Sequence, residues 1–167
     1  MNHCDAIVLV GHGGVPTDYP REQVRRLKAL EGQREAAGGP LSDEERALDA
    51  RIRQWPRTAL SDPYRAGLEA LASALRPLLD GTPLHLAYNE FCAPSLEEAV
   101  AALLADGARR LTVVPSMLTP GGSHAEIDIP RALAHLRTAH PGVELHYAWP
   151  VDLSLLARFF ATHLKAY

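Results

Sequence analysis

The chain has 167 residues, which predicts a single domain with a substantial apolar core. Apolar residues make up 47% and charged residues 22% of it, and no uncharged apolar run approaches the ~20 residues of a membrane span. These values exclude disordered, collagen-like and membrane-spanning proteins. The net charge of −3 argues against a general nucleic-acid binder, because such proteins carry a surplus of basic residues.

The N-terminus and the cysteines bear on cellular location. Only five apolar residues follow Asp5 before Gly11, too few for the apolar region of a secretory signal peptide, so we expect a cytoplasmic protein. The two cysteines, Cys4 and Cys92, form no CxxC pair. We therefore expect two reduced, ordinary thiols rather than a disulfide or a cysteine zinc site.

The first predicted element is a strand at residues 5–10, a continuous apolar run that stops at glycine. Residues 19–58 follow, with nine Arg or Lys and seven Asp or Glu in 40 positions. Two weak apolar stripes separated by Gly38-Gly39-Pro40 predict a charged helical hairpin inserted into the domain of residues 1–167. Three interpretations stay open: a solvated excursion with its apolar stripe on the body of the protein, a lid over a site, and a dimerisation arm.

The later elements alternate between helices and strands. A helix begins after Ser61-Asp62-Pro63, and a stripe at residues 64, 68, 71, 75 and 78 is expected to pack on a sheet. Further strands are predicted at residues 84–88, 111–114 and 143–148, and further helices at residues 95–107, 130–139 and about 153–165. This alternation predicts an α/β fold, with a four-stranded parallel sheet covered by helices on both faces.

Three residues with metal-binding side chains follow three predicted strands: His12, Glu90 and His124. Ligands bind beyond the carboxyl ends of parallel strands, so we expect these side chains to converge at one edge of the sheet. Two imidazoles and a carboxylate can bind a divalent transition metal, and they can accept protons near neutral pH. Taken singly, each residue also fits a structural role, as a turn histidine, a salt-bridged carboxylate and a loop histidine. The six other histidines show no such clustering and are expected at the surface or in packing: His3, His85, His135, His140, His146 and His163.

Several motif interpretations fail for the segment Gly11-His12-Gly13-Gly14. The segment lacks the third glycine of GxGxxG and the Lys-Ser/Thr of a P-loop, so neither nucleotide-binding motif is supported. No GxSxG occurs in the chain, which makes a serine hydrolase improbable. Gly11 stands where phosphoglycerate-mutase-like enzymes have an arginine, so that interpretation fails as well.

Three segments carry motifs that are specific in combination. Residues 7–13 read Ile-Val-Leu-Val-Gly-His-Gly, and residues 88–95 place Glu90 four positions before Pro-Ser. Residues 113–130 run from Val-Val-Pro through Gly-Ser-His to Asp-Ile-Pro. In these segments the chain resembles the short sirohydrochlorin chelatases of the CbiX and SirB kind, over residues 5–18 and 60–165. The resemblance implies that His12 and His124 hold the metal and that His12, Glu90 and His124 are the catalytic residues.

The resemblance also implies a reaction and an assembly. The reaction is insertion of Co²⁺ or Fe²⁺ into the tetrapyrrole sirohydrochlorin, without ATP or any cofactor beyond the substrate metal. The expected assembly is a homodimer without nucleic-acid or membrane partners. Residues 19–58 depart from the short form, and Gly14 stands where the family usually has serine. The residues expected to contact the substrate are Gly13, Gly121, Gly122 and Ser123.

Two other functions stay open. One is a non-catalytic carrier of metal or tetrapyrrole that keeps both histidines. The other is a metal-dependent hydrolase on the same fold, for which a further carboxylate near His12 is needed, and Asp18 is the only nearby candidate.

Overall fold

Four parallel strands form the centre of the fold, as the sequence predicts. The computed structural model describes residues 4–167, so His3 lies outside the described residues. The strands stand in the spatial order β2-β1-β3-β4, and each neighbouring pair is parallel. Their bounds are β1 (Ala6–Gly11), β2 (Leu84–Tyr88), β3 (Arg110–Pro115) and β4 (Glu144–Tyr147).

Helices cover both faces of this sheet, which confirms the predicted α/β fold. One face of β1 and β3 packs against the fourth and fifth helices, and the opposite face of β1 and β2 packs against the third. No helix within residues 4–167 combines the length and the apolar character needed to cross a membrane. The helices are α1 (Arg21–Ala37), α2 (Asp43–Arg53), α3 (Pro63–Leu75), α4 (Leu96–Ala105), α5 (Ile129–Ala139) and α6 (Leu153–His163).

The predicted apolar stripe of α3 is partly wrong. Leu68 is buried, but Leu71 and Leu78 are 51% and 75% exposed. The face that meets the sheet passes instead through Leu68 and the fully buried Ala72. Because alanine has only a methyl side chain, it lets the helix approach the sheet closely, and the larger leucines beside it are left outside.

The charged segment folds as the predicted helical hairpin, made of α1 and α2. Leu27 of α1 and Ile52 of α2 are buried together with Tyr19 and Phe91, which gives the hairpin a small core of its own. The apolar stripes therefore lie on the body of the protein, as the solvated-excursion interpretation requires. Phe91 directly follows Glu90, so the hairpin packs next to a candidate site residue.

A buried ion pair joins the hairpin to the loops at the carboxyl edge of the sheet. Arg57 pairs with Asp62, and both side chains are almost completely inaccessible to solvent. Arg57 also donates to the carbonyl oxygens of Gly14, Ile52 and Phe91. Asp62 caps α3 by accepting a hydrogen bond from the backbone N–H of Arg65, at 2.9 Å. One charged pair thus fixes the loops that follow β1 and β2 relative to α2 and α3.

Candidate metal centre

His12, Glu90 and His124 meet at the carboxyl edge of the sheet. Each offers a ligand atom that lies within 4.8 Å of those of the other two. The two imidazole rings are 4.5 Å apart between centroids and nearly perpendicular, at 83°. Within residues 4–167 this is the only such group of three or more His, Cys, Asp or Glu side chains. The convergence expected from the strand ends is therefore present in the structure.

The backbone beyond β1 and β2 holds His12 beside Glu90. Parallel pairing continues past the strands, because Asn89 N–H donates to the Gly11 carbonyl at 2.9 Å and Glu90 N–H donates to that of His12 at 2.8 Å. Gly13 follows with a φ of +93°, and a Cβ there would lie 1.8 Å from the Glu90 carbonyl oxygen. Only glycine fits this approach, which brings the two loops together.

The protonation of His12 is set by its own loop. Its Nδ1 lies 2.8 Å from the carbonyl oxygen of Gly13, and a carbonyl can only accept a hydrogen bond. Nδ1 therefore carries the proton, which leaves the Nε2 lone pair free for a metal. The backbone N–H of His12 donates to the Tyr64 hydroxyl at 2.7 Å, which attaches the loop to α3.

His124 lies in a helical turn, not in the glycine-rich loop where the sequence placed it. Residues His124–Asp128 form a π-helical turn that runs directly into α5, and the N–H of Ile129 donates to the carbonyl of His124. Pro130 suggests a helix start because it has no N–H, but the wider turn closes on Ile129 one residue earlier. The Tyr147 hydroxyl of β4 donates to the Ala125 carbonyl at 2.8 Å, and burial raises the pKa of this phenol to about 12.

Two side chains compete for the Nδ1 atom of His124. The Asp128 carboxylate lies 2.7 Å away, one helical turn further on, and the side-chain amide nitrogen of Asn89 also lies at 2.7 Å. A proton on Nδ1 satisfies Asp128 and leaves Nε2 free for a metal, whereas donation by Asn89 favours the opposite tautomer. Asp128 thus supplies the carboxylate that commonly orients a metal-binding histidine.

Glu90 faces a lysine from the charged hairpin. Lys28 Nζ lies 3.2 Å and 3.3 Å from the two carboxylate oxygens of Glu90, and 2.9 Å from Glu31. The ammonium also lies 4.7 Å from the centroid of the Phe91 ring. Burial lowers the pKa of Lys28, but its hydrogen bond to Glu31 and the charge of Glu90 outweigh this effect, so the pKa is raised.

These residues open into a cleft of about 920 Å³ between the hairpin and α5. Asn89, Glu90 and His124 line it, Lys28 and Arg34 come from α1, and α5 contributes further polar groups. The exposed His135, expected at the surface or in packing, lines this cleft. The other described histidines outside the centre, His85, His140, His146 and His163, are exposed or half-buried and do not line it.

Of the four residues expected to contact substrate, Ser123 lines the cleft and the three glycines do not. The N–H of Gly121 donates to the Glu126 carboxylate at 3.3 Å, and the Gly122 carbonyl accepts from the N–H of Glu126 at 3.0 Å, so part of this loop bonds within itself. Gly13 serves the close approach to Glu90 described above.

Neither Asp18 nor Cys92 joins the centre. The Asp18 carboxylate accepts a hydrogen bond from the Trp55 indole at 3.2 Å and is absent from the cluster, so the carboxylate considered for a hydrolase lies elsewhere. Cys92 is a free, fully buried thiol, and burial raises its pKa. A thiol of this kind is inert, in keeping with the expected ordinary role.

Sequence reasoning missed four residues of this region: Lys28, Asn89, Asp128 and Arg131. Asp128 follows His124 by four positions, a spacing that would have indicated the contact if the segment had been assigned to a helix. Asn89 adjoins Glu90, but nothing in its local sequence indicates its contact with His124. Lys28 and Arg131 carry no local signal, because only the packing of the hairpin and α5 brings them to the cleft.

Comparisons with known proteins agree with this architecture. A sequence profile of the CbiX family matches residues 60–158, which include Glu90 and His124 but not His12. The structure of the sirohydrochlorin chelatase SirB from Bacillus subtilis subspecies spizizenii in complex with cobalt is similar, with a TM-score of 0.54 and 19% identity. That match covers 96% of this chain and 50% of SirB, so the chain spans half the length of that protein.

A second similar structure matches along nearly its whole length. It is a protein from Marinobacter aquaeolei VT8 described as CbiX of cobalamin (vitamin B12) biosynthesis, with a TM-score of 0.53 and 20% identity. This match covers 96% of the present chain and 94% of the other. No curated protein sequence matches the chain. The structural likenesses establish a shared fold and, because the profile match spans more than half of the chain, the protein belongs to the CbiX family.

Proposed function

We propose that this protein is a sirohydrochlorin chelatase, which inserts Co²⁺ or Fe²⁺ into the tetrapyrrole without ATP. The observation that carries the proposal is the convergence of His12, Glu90 and His124 at the carboxyl edge of the sheet, where Glu90 and His124 line a wide, polar cleft. Membership of the CbiX family and the cobalt complex of the similar SirB support the same function.

The donor set suits a divalent first-row metal. Two imidazole nitrogens and a carboxylate oxygen are ligands that Co²⁺ and Fe²⁺ accept, and three ligands leave coordination positions open. Those open positions are what the reaction needs, since the pyrrole nitrogens must bind the metal before the protein releases it. His12 and His124 would hold the metal through Nε2, because each Nδ1 has a backbone or carboxylate acceptor.

Proton release accompanies metal entry. The macrocycle binds M²⁺ as a dianion, so two pyrrole N–H protons leave for each metal ion inserted. Glu90 and the two imidazoles are the proton acceptors in this proposal, since each regains a free lone pair as the metal moves to the macrocycle. The open cleft then provides a route by which those protons reach solvent.

The cleft also carries groups suited to an acidic substrate. Sirohydrochlorin bears eight carboxylates, and Arg131 of α5 is exposed at the cleft with no ion-pair partner among residues 4–167. Arginine binds a carboxylate through two parallel hydrogen bonds. His135, one helical turn further along α5, extends the same wall.

A homodimer is part of the proposal. The chain spans half the length of the SirB chain to which it is similar, so a second copy could supply the second half of a two-lobed molecule. Helix α6 exposes several large apolar side chains that suit such a contact: Leu153, Leu155, Phe159 and Phe160. The single domain with its insertion at residues 19–58, and a cytoplasmic location, stay predictions.

The test is anaerobic mixing of the purified protein with sirohydrochlorin and either Co²⁺ or Fe²⁺, followed by visible absorbance. We expect the rate to exceed the spontaneous rate and to fall to it in His12→Ala and His124→Ala, while the exposed His146→Ala keeps the wild-type rate. A wild-type rate equal to the spontaneous rate, with metal or tetrapyrrole still bound, would refute the chelatase and favour a carrier.

A further inference from the structure

The hairpin places a positive charge on the carboxylate of the candidate metal centre. Lys28 Nζ contacts both oxygens of Glu90, at 3.2 Å and 3.3 Å. One oxygen of this same carboxylate belongs to the group of ligand atoms within 4.8 Å of one another. The Lys28 side chain is 43% exposed and lines the same cleft as Glu90, so its ammonium borders both the centre and the space proposed for substrate.

The hairpin does not need this ion pair to stay in place. Leu27 and Ile52 are buried in the hairpin core, and Arg57 ties α2 to the loops around the centre. Arg53 adds hydrogen bonds to the carbonyls of Cys92 and Asn89, both at 3.1 Å. A half-exposed Lys–Glu pair adds little stability beside such contacts. Stability therefore does not explain why the Lys28–Glu90 pair lies at the centre.

We propose that Lys28 is a displaceable counter-ion of Glu90, which competes with the incoming metal and is drawn away by the carboxylates of the tetrapyrrole. This inference rests on the proposed function and assigns the insertion a part in it. A divalent cation on Glu90 cannot share the carboxylate with an ammonium at 3.2 Å without strong repulsion between like charges. The metal and Lys28 therefore weaken each other's binding to Glu90.

Release of Lys28 requires another acceptor within reach of its side chain. Lysine has a flexible four-carbon stem with a compact charge, so its ammonium can turn from Glu90 into the cleft. Glu31 already holds it from the cleft side, at 2.9 Å. A tetrapyrrole in the cleft presents carboxylates there, and binding one of them frees Glu90 for the metal. Each substrate thereby raises the affinity for the other, and by thermodynamic linkage the coupling is reciprocal.

The experiment compares Co²⁺ affinity, from titrations without tetrapyrrole, with the KM for sirohydrochlorin. The variants are Lys28→Met, Lys28→Arg and, as a control, Arg25→Met at an exposed position of the same helix. We expect Lys28→Met to bind Co²⁺ about fivefold or more tightly than wild type, the lower end of typical coupling, and to show a raised KM. Lys28→Arg keeps the positive charge beside Glu90 and should bind Co²⁺ no more tightly than wild type, and Arg25→Met should stay close to wild type in both measurements.

Unchanged or weaker Co²⁺ binding by Lys28→Met would overturn the inference, and so would an unchanged KM for sirohydrochlorin. His12→Ala in each background separates this failure from that of the proposed function. If Co²⁺ binding does not depend on His12, the proposed centre itself is wrong. If it depends on His12 but not on Lys28, the centre stands and the counter-ion role is refuted. Circular dichroism and urea midpoints confirm that each variant is folded.

Discussion

At the scale of single residues, the ability of His124 to bind a metal depends on which neighbour sets its tautomer. The Asp128 carboxylate can only accept a hydrogen bond, so it favours the tautomer with the proton on Nδ1 and with Nε2 free. In Asp128→Asn the charged acceptor is gone, and donation from Asn89 can favour the other tautomer. We expect Co²⁺ affinity to fall about tenfold to a hundredfold, as for other partners of metal-binding histidines. This affinity is measured by titrating the protein with Co²⁺ and following the visible absorbance of the bound ion.

Glu126→Gln is the matched control for this substitution. Glu126 lies in the same turn and is exposed, but its carboxylate bonds to the backbone of Gly121 rather than to His124. The Co²⁺ affinity of Glu126→Gln should equal that of wild type. Equal affinities for Asp128→Asn and wild type would show that Asp128 does not orient His124.

Gly13 is a second residue on which the centre depends. Its φ of +93° is strained for any L side chain, and a Cβ would lie 1.8 Å from the Glu90 carbonyl oxygen. We expect Gly13→Ala to lower the free energy of unfolding by more than about 1 kcal/mol and to weaken Co²⁺ binding, because the loops of His12 and Glu90 must separate. Urea denaturation and a Co²⁺ titration check both effects. Gly122→Ala is the control and should match wild type, because a Cβ there meets open space. Wild-type stability and Co²⁺ binding in Gly13→Ala would contradict the importance of the close approach.

Sequence position alone indicates His12, Glu90 and His124, because each follows a strand and parallel strands end at one edge. The partners of these side chains were not predictable in the same way. Asp128 contacts His124 because both lie in one helical turn, and Lys28 reaches Glu90 because the hairpin packs against Phe91. Such contacts depend on tertiary packing, which local patterns do not encode.

At the scale of elements, the Arg57–Asp62 pair joins the hairpin to the sheet. In Arg57→Met, Asp62 is left buried without its cation, and the carbonyls of Gly14 and Phe91 lose their donor. Breaking a buried pair by removing one partner costs about 3–5 kcal/mol. We expect a loss of this size in the free energy of unfolding, measured by urea denaturation. Arg25→Met, exposed on α1, is the control, and a change below about 1 kcal/mol in Arg57→Met would contradict the account.

Asp5 joins the start of β1 to β3 and makes stability depend on pH. Hydrogen bonds from the backbone N–H groups of Arg109 and Arg110 lower the pKa of its carboxyl to about 2, helped by the Arg110 side chain. A pKa lowered on folding stabilises the protein above the unfolded value of 3.8, and this contribution is lost as the pH falls toward 2. We expect Asp5→Asn to have the lower urea midpoint at pH 7 and the difference to shrink between pH 4 and pH 2. A constant difference would rule out this linkage.

The elements themselves were largely predictable, and the deviations have physical causes. All four predicted strands match the observed ones to within one residue at each end, because runs buried on both faces are apolar throughout. The face of α3 was partly misassigned because not all of its leucines are buried: Leu68 and the small Ala72 meet the sheet, while Leu71 lies outside. The start of α5 was predicted to within one residue, but the π-helical turn that precedes it was missed, because Pro130 is a strong start signal even within a continuous helical segment.

At the scale of the whole molecule, the insertion and the edge of the sheet build different parts of the site. The sheet edge supplies His12, Glu90 and His124, whereas the hairpin supplies a wall with Lys28 opposite α5. The lid interpretation of residues 19–58 and the packed-excursion interpretation are therefore compatible, since the same hairpin is anchored by Leu27 and reaches the cleft. A dimerisation arm is not needed to explain the many charges of the hairpin, because they pair largely within the hairpin itself.

The contact for a second copy is better sought on α6. Phe159 and Phe160 are 58% and 50% exposed there, on the same helix as two further exposed leucines, and several exposed apolar side chains on one helix suit an interface. We expect the wild-type protein to have the mass of a dimer in light scattering after gel filtration, and Phe159→Glu/Phe160→Glu to shift it to a monomer. Leu60→Glu, at an isolated site that is 91% exposed, should remain dimeric. A monomeric wild type at all concentrations would refute the homodimer, and a dimeric double variant would place its interface elsewhere.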